Sequence, residues 1–273
     1  MIEEIIAYIL SLFVGITLGL VGAGGSILTV PILVFIVGIE PQYATIYSSF
    51  VVGVTSLVGT VRNFLKRQLH LLSALVFFLP SLLMMLLVKQ YIMPEIPEEI
   101  LEFDEFILTK DVALMVLFAL IMMLASINMI RGNKLNAENQ DIKEINFNYV
   151  SISIQGGIVG VLTALLGVGG GFLIVPALVT FAKLPIRLTI GTSLLIITFN
   201  SLSSFLFDFL ENEYPLDWQF LIIFTLISIL GFFIGMYLNK FIKAAQLKKG
   251  FGYFVLCMAI YTLARQIFGA LFM

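Results

Sequence analysis

The sequence has 273 residues, of which 60% are hydrophobic and only 12% are charged, and its mean hydropathy is +1.09. So much apolar surface is incompatible with a single water-soluble core and predicts an integral membrane protein. The net charge of -2 and the absence of a Lys/Arg run exclude a nucleic-acid partner. The single cysteine, Cys257, excludes an internal disulfide and a cysteine-based metal cluster.

The N-terminal segment is predicted to be the first membrane helix. It begins Met-Ile-Glu-Glu and lacks the basic region of a cleavable secretory signal, so residues 5–20 are expected to be retained. A helix that crosses the hydrocarbon core needs about 20 apolar residues. Six later stretches meet or approach that length, namely residues 43–61, 69–87, 112–130, 186–206, 218–238 and 250–268.

A ten-residue phrase occurs twice and interrupts two further apolar runs with glycine. The copies are Gly22-Ala-Gly-Gly-Ser-Ile-Leu-Thr-Val-Pro31 and Gly167-Val-Gly-Gly-Gly-Phe-Leu-Ile-Val-Pro176, and six of the ten positions are identical. The alignment of the two copies continues after a one-residue gap, where Thr45-Ile-Tyr-Ser-Ser49 aligns with Thr189-Ile-Gly-Thr-Ser193. The phrases divide their runs into short pairs, 5–21 with 27–39 and 150–166 with 172–181. This pattern indicates an internal duplication of a broken membrane helix.

The charged loops indicate that the two copies have opposite orientations in the membrane. Lys and Arg near segment ends favour the cytoplasm, which places the basic loop after 43–61 inside and the acidic loop 94–111 outside. In the second half the equivalent first long connection, 208–217, is acidic and expected outside, while the lysines of 240–249 are expected inside. The pattern predicts an inverted-topology repeat with both termini outside.

The predicted fold is therefore an all-α polytopic membrane protein with two inverted-topology repeats and about eight to ten membrane segments. The count depends on whether each glycine-divided pair forms a re-entrant hairpin or two short tilted spans, which the sequence leaves open. The first repeat is assigned to residues 1–130, a cytoplasmic linker to 131–148 and the second repeat to 149–273.

The glycine phrases are the predicted substrate site. Glycine lets the backbone approach a ligand closely, and the short helices expected to begin near Ser26 and Gly171 have first-turn amides without intrahelical partners. The helix dipole places about half a positive charge at such an end, which favours a small anion. An inverted repeat would bring both ends together near the bilayer midplane, where neighbouring polar side chains add donors. The predicted binding residues are Gly22, Gly24, Gly25, Ser26, Ser48, Ser49, Gly167, Gly169, Gly170, Gly171, Thr192, Ser193 and Asn200.

A structural interpretation stays open for each of these residues. Glycine in membrane helices also permits close helix packing, and Ser or Thr often bonds to its own helix. Arg62, Arg187 and Asp208 lie at segment ends and are interpreted as interfacial anchors. No clearly central carboxylate is present, which disfavours a buried Asp/Glu proton relay.

The paired phrases, the two Thr-Ile-x-[Ser/Thr]-Ser stretches and the short central linker resemble the TauE/SafE family of membrane permeases, often described as sulfite or organosulfonate exporters. The resemblance covers nearly the whole chain. It implies transport of a small sulfur-containing anion, such as sulfite, thiosulfate or an organosulfonate, across a prokaryotic inner membrane. The resemblance also implies which motif positions lie at the substrate site, namely Gly22, Gly24, Gly25, Gly167, Gly169 and Gly170. The first copy departs from the second in having Tyr47 where the second has Gly191.

The predicted function is secondary transport by alternating access, and the acidic outer loop favours export over import. A small anion and the lipid bilayer are the expected partners, no cofactor is expected, and a homo-oligomer is left open. An anion channel and a non-transporting membrane subunit or sensor are the alternatives. A membrane enzyme is disfavoured because the chain has one histidine, no His-Glu-x-x-His motif and no pair of mid-span aspartates.

Overall fold

The structure, a computed structural model, describes residues 2–22, 25–97, 99–103, 106–131, 149–166, 171, 174–175, 178, 186–211, 216–241 and 244–271. Within these ranges the chain is almost entirely helical, as predicted. Apart from Arg131, the predicted central linker lies outside the described residues, and so does most of the second glycine phrase. The assignment of the two repeats to 1–130 and 149–273 stays a prediction.

Nine α-helices occur in the described ranges, and each of the six predicted long stretches corresponds to one of them. They are α1 (Ile2–Val21), α2 (Gly25–Ile32), α3 (Pro41–Leu65), α4 (Leu71–Leu87), α5 (Lys110–Arg131), α6 (Tyr149–Leu166), α7 (Ile186–Glu211), α8 (Trp218–Leu238) and α9 (Ala244–Leu271). A π-helical turn, Leu33–Val37, follows α2, and a second, Val88–Ile92, follows α4.

Five helical segments in the described part of the chain are long and apolar enough to cross a membrane. Large apolar side chains cover their outer faces, as at Leu79 and Leu230, each of which is 60% exposed. In water such a surface would be unfavourable, whereas lipid solvates it. The helical membrane class is thereby confirmed, while the inverted repeats and the full number of segments stay predictions. The five segments are Glu3–Val21, Pro41–Leu65, Leu71–Ile92, Leu188–Leu210 and Trp218–Leu238.

Local sequence explains where several helices begin. α3 starts at Pro41, whose fixed φ suits the first helical position and whose missing N–H is not needed there. His70 caps α4, because its ring nitrogen Nδ1 accepts a hydrogen bond from the Ser73 N–H at 3.3 Å. Asp217 caps α8 in the same way, accepting from the Phe220 N–H at 3.0 Å. Each cap satisfies an amide that the helix itself leaves without a partner.

The acidic loop after α4 contains a β-hairpin that the sequence analysis did not predict. β1 (Glu99–Phe103) pairs antiparallel with β2 (Phe106–Thr109), and Leu101 lies opposite Leu108. Leucine, isoleucine and phenylalanine in both segments favour a pleated pair, although the acidic composition of the loop suggested only a connection. The predicted all-α class therefore needs this correction in the described part of the chain.

The main helix contacts join the first half of the chain to the second. α1 packs on α8, α3 on α7, α4 on α6 and α5 on α9. In the first of these pairs the helices run parallel. The Tyr8 ring lies 5.5 Å from the Phe220 ring near both N-termini, and about two turns further along each helix Gly15 faces Ser228. A methyl group added at Gly15 would overlap the carbonyl oxygen of Ser228. The absence of a side chain therefore lets the two backbones touch.

The α4–α6 pair is built in the same manner. Gly156 faces the carbonyl oxygen of Phe77, and Gly160, one turn later, faces that of Ser81. These contacts advance together along both helices, so α4 and α6 also run parallel. A Cβ atom at either glycine would overlap the facing backbone, so both positions require glycine for this packing distance.

The α3–α7 pair is antiparallel. Phe50, early in α3, packs with a ring distance of 4.9 Å on Phe205, late in α7. Asn63, late in α3, lies against Gly191, early in α7. The contact extends over most of both helices and forms the centre of the molecule, because α3 also contacts α8 and α7 also contacts α4.

Candidate functional site

The first glycine phrase forms a sharp break between α1 and α2. Gly22 has a φ of 73°, in the left-handed region that favours glycine, and its N–H closes the last turn of α1 on the Leu18 carbonyl at 2.8 Å. The Gly22 carbonyl oxygen accepts a hydrogen bond from the Ser193 hydroxyl at 3.0 Å. A Cβ atom at Gly22 would lie only 2.9 Å from Cγ2 of Ile190. The break is therefore fitted closely against the first turns of α7.

α2 begins in the protein interior directly after this break. Gly25 is buried against Leu18 of α1, and the Thr29 hydroxyl is occupied by a bond of 2.8 Å to the Gly25 carbonyl of its own helix. The first amides of a helix have no intrahelical acceptors, and the dipole makes this end positive. A low-dielectric environment strengthens the attraction of such an end for an anion. Of the predicted ligands, Gly22 and Gly25 are placed together here.

Thr192 and Ser193 lie beside this first break. The Thr192 Oγ1 atom accepts from the backbone N–H of His70 at 3.0 Å, which ties the loop between α3 and α4 to α7. Ser193 also lies 2.9 Å from the Ile190 carbonyl, so its single hydroxyl hydrogen is shared between its own helix and Gly22. Burial lowers the pKa of the His70 imidazole below its ordinary value. The neutral ring is therefore the form that caps α4.

Ser48 and Ser49 lie at the opposite end of the α3–α7 contact. Both are buried, and the Ser48 hydroxyl oxygen has no hydrogen-bond partner among the described residues. Because α3 and α7 are antiparallel, the start of α3 packs beside Phe205, twelve residues beyond Ser193. At 1.5 Å per residue this is about 18 Å along the helix. The four hydroxyls expected to converge therefore lie in two groups at opposite ends of the pair.

Asn200 lies between these two groups, near the middle of α7. Its Nδ2 atom donates to the Ser81 hydroxyl of α4 at 2.8 Å, while its Oδ1 atom is buried without a partner in the described part of the chain. The neighbouring Ser201 hydroxyl is also buried and unpartnered there. Buried polar atoms are normally hydrogen-bonded, so this region has hydrogen-bonding capacity that the described side chains do not use.

A hydroxyl network that the sequence analysis missed connects α3 and α7. The Thr198 Oγ1 atom lies 3.0 Å from the Ser56 hydroxyl and 3.1 Å from the Thr60 hydroxyl. Nearby, the Thr55 hydroxyl donates to Ser228 of α8 at 3.4 Å. Ser56 and Thr60 are one helical turn apart, and that spacing was the available signal.

An ion pair between Lys89 and Asp208 joins the π-helical turn after α4 to the C-terminal part of α7. The Lys89 Nζ atom lies 2.6 and 2.5 Å from the two carboxylate oxygens of Asp208 and 2.7 Å from the Ser204 hydroxyl. The Lys89 and Asp208 side chains are only 8% and 16% exposed. Asp208, interpreted from sequence as an interfacial anchor, is thus the partner of a buried cation. The two residues are 119 positions apart, so no local pattern signals their pairing.

The remaining predicted ligands cannot be placed in this geometry. Gly24, Gly167, Gly169 and Gly170 lie outside the described residues, as does the side chain of Ser26, and Gly171 is described only as a buried helical residue. Their assignment to a substrate site stays a prediction. Among the described residues, no group of three or more His, Cys, Asp or Glu side chains could hold a metal ion.

Comparison with known proteins identifies the family. The family model described as "Sulfite exporter TauE/SafE" matches residues 7–262. The chain belongs to the TauE/SafE family. Two proteins of Xylella fastidiosa, each named "Probable membrane transporter protein", are similar over 93% of this chain and 92% of their own length. The strain 9a5c protein is 28% identical over 257 residues, and the strain Temecula1 protein is 30% identical over 256.

A third relative comes from Bacillus subtilis. It is named "Probable membrane transporter protein YunE" and is 27% identical over 221 residues, which cover 73% of this chain and 76% of the relative. No solved structure matches the chain. The TauE/SafE match spans both glycine phrases, the α3–α7 interface and the Lys89–Asp208 pair. The protein is therefore a membrane transporter of that family, and the names of the family and its relatives indicate a transporter rather than an enzyme.

Proposed function

We propose that this TauE/SafE protein is a secondary transporter that exports a small sulfur-containing anion, such as sulfite, thiosulfate or an organosulfonate, across a prokaryotic inner membrane. Its two halves are inverted-topology repeats, and alternating access opens the anion site to one side of the membrane at a time. Both termini lie outside.

The observation that carries this proposal is a pair of equivalent helix contacts. Gly160 follows Gly15 by 145 residues, which is also the interval between the two glycine phrases. Ser81 is eleven residues after the α4 cap His70, and Ser228 is eleven residues after the α8 cap Asp217. Gly15 faces the Ser228 carbonyl, and Gly160 faces the Ser81 carbonyl. Exchanging the two halves thus converts one contact into the other, as a pseudo-twofold axis requires.

The relative helix directions also support the inverted repeat. The charged loops place α1, α3 and α8 in one direction across the membrane and α4, α6 and α7 in the other. This arrangement requires that α1 run parallel to α8, α4 parallel to α6, and α3 antiparallel to α7. The packing contacts give the same three relations, and they do not depend on charge.

The anion site is assigned to the first glycine break and its expected counterpart in the second half. Both α2 and the following π-helical turn contact α1, so the chain doubles back at Gly22. This favours a re-entrant hairpin, whose tip presents the positive N-terminus of α2 to the interior. The acidic loop 94–111 repels anions on the outer side, which favours export.

Counterflow of radiolabelled sulfite in proteoliposomes tests the proposal. Vesicles are loaded with unlabelled sulfite and diluted into labelled sulfite, with thiosulfate, methanesulfonate, sulfate and chloride as competitors. A carrier accumulates label transiently, and sulfur oxyanions should compete selectively. Conduction without trans-stimulation would instead identify an anion channel, and absence of all flux in folded protein would contradict the transport proposal for these anions.

Two leucine variants test where the site lies. Gly170→Leu, in the second glycine phrase, should abolish counterflow while the protein remains folded and inserted, because the side chain would occupy the space that faces the anion. Gly250→Leu is the matched control, since a Cβ atom added at this helical position would have no neighbour within 4 Å. Transport retained by folded Gly170→Leu protein would remove the second glycine phrase from the site.

A further inference from the structure

A polar stripe on α7 leads from the first glycine break to the buried ion pair. Ser193, Asn200, Ser204 and Asp208 follow one another at spacings of seven, four and four residues, so they share one face of the helix. At 1.5 Å per residue the stripe is about 22 Å long. Its first three side chains are fully buried, whereas Asp208 is 16% exposed. The stripe therefore crosses the interior and ends close to the surface.

The interior part of this stripe is not fully hydrogen-bonded. The Asn200 Oδ1 and Ser201 hydroxyl oxygen atoms are buried without partners among the described residues. A helix contact that served packing alone would be more stable with apolar side chains at such positions. Of these two atoms, the Ser201 hydroxyl can donate to an anion that passes along the stripe, whereas the Asn200 Oδ1 atom can only accept a hydrogen bond.

The ion pair at the end of the stripe is not explained by packing either. Removing two charges from water offsets most of their attraction, so a well-packed apolar pair is often at least as stable. In the proposed repeat, Lys89 corresponds to Met236 and Asp208 to Phe64. At the Met236 end of the molecule the nearby guanidinium of Arg62 contacts the methionine sulfur, with no carboxylate at the position of Phe64. The repeat architecture itself therefore does not require a charge pair.

The groups around Lys89 are those that would bind an oxyanion. Its ammonium donates to the Ser204 hydroxyl and to both oxygens of the Asp208 carboxylate. The Ser204 hydroxyl accepts from the ammonium and donates to the Asp208 Oδ2 atom at 3.5 Å. Its hydrogen becomes available to an anion when the carboxylate moves away. Without Asp208 the buried ammonium would lose the carboxylate that neutralises its charge, which is unfavourable. An anion in place of the carboxylate keeps the site neutral.

We propose that Lys89 and Ser204 form a second binding site for a small oxyanion, and that Asp208 occupies it in this structure as an internal competitor. The inference rests on the proposed transport function, since the anion reaches Lys89 along α7 from the glycine break. Arrival of the anion displaces the Asp208 carboxylate toward the aqueous surface, where that side chain is already partly exposed. When no anion is present, the ion pair closes this end of the path.

Binding of radiolabelled sulfite to the purified full-length protein tests the second site. Asp208→Asn removes the competing charge, so the dissociation constant should fall by about fivefold or more. The double variant Lys89→Met/Asp208→Asn differs from it only in the ammonium and should lose this gain. Glu40→Gln is the charge-matched control, because Glu40 is exposed before α3, makes no side-chain hydrogen bond to cap that helix, and should leave the affinity unchanged. Unfolding temperatures identify any variant that fails to fold.

The outcomes separate the second site from transport itself. Unchanged sulfite affinity in folded Asp208→Asn protein, or a gain that persists in the double variant, overturns the second site. If wild-type protein still shows counterflow in that case, the transport proposal stands. Tighter binding that depends on Lys89 supports the second site even if wild-type protein shows no counterflow, and the carrier proposal then fails alone. Methanesulfonate as competitor reports whether the site accepts sulfonates as well as sulfite.

Discussion

The Ser193 hydroxyl in α7 donates a hydrogen bond to the carbonyl oxygen of Gly22, 3.0 Å away at the end of α1. The bond crosses from the second half of the chain to the glycine break of the first. It fixes the entrance to α2 against the polar stripe of α7, and the following predictions concern this contact and the packing around it.

Ser193→Ala should lower the free energy of unfolding by about 0.5 to 1.5 kcal/mol and weaken apparent sulfite affinity, because one neutral hydrogen bond across helices is lost. Ser11→Ala is the control, since the buried Ser11 hydroxyl donates to the Tyr8 carbonyl of its own helix and not across helices in the described part of the chain. Denaturant unfolding in detergent and counterflow measure the two effects. Unchanged affinity in the Ser193 variant would remove this residue from the site.

Gly22→Ala should be more destabilising than Gly38→Ala. Both glycines have φ in the left-handed region, 73° and 79°, so alanine is strained at each by about 1 to 2 kcal/mol. Only at Gly22 does the added methyl group also approach a neighbour, Cγ2 of Ile190 at 2.9 Å, whereas at Gly38 no atom lies within 4 Å. The difference between the two unfolding free energies therefore measures the fit of the break against α7. Equal losses of unfolding free energy in the two variants would show that only backbone strain, and not the contact with Ile190, destabilises Gly22→Ala.

Gly160→Ala should destabilise the protein by about 1 to 3 kcal/mol, because its methyl group would overlap the Ser81 backbone of α4. Gly157→Ala, one turn earlier in the same helix, brings its methyl group no closer than 3.6 Å to the Met84 side chain. The higher helix propensity of alanine should make that change neutral or stabilising by up to about 1 kcal/mol. Unfolding in detergent measures the stability of both variants. Similar losses of unfolding free energy at the two positions would contradict the parallel α4–α6 contact.

Acidification should destabilise the folded protein through His70. Burial lowers the pKa of this imidazole in the folded state, so the unfolded chain binds a proton more readily. Stability should therefore fall as the pH drops through the ordinary value of 6.5 toward the lower folded pKa. His70→Asn keeps a cap acceptor for the Ser73 N–H and should reduce this pH dependence. A pH series of unfolding temperatures for both proteins tests the prediction, which fails if their slopes agree.

The helices were largely predictable because membrane-length apolar stretches and their flanking caps are local signals. α8 was predicted at its observed bounds, Trp218–Leu238, because the apolar stretch there has the length of a membrane span. The hairpin of Glu99–Phe103 and Phe106–Thr109 was missed because its apolar residues are short runs inside an acidic loop. Short segments give no periodicity long enough to separate strand from loop.

The candidate site was less predictable because it depends on how distant helices meet. Sequence similarity aligns Ser49 with Ser193, but the antiparallel contact of α3 with α7 places them at opposite ends of the pair. The pairing of Lys89 with Asp208 joins residues whose individual positions suggested only loop or interface locations. Such contacts follow from tertiary packing, and no spacing within one helix contains that information.

The partnership of α1 with α8 has a consequence for how the protein assembles. Ser228 comes 213 residues after the Gly15 that it contacts, so α1 is synthesised and inserted long before its packing surface can be covered. During this interval its glycine face is open to lipid or to a membrane chaperone. Contacts of such long sequence separation form late in folding. A nascent chain released before Trp218 should therefore be recognised as incomplete and degraded, however well its first helices have inserted.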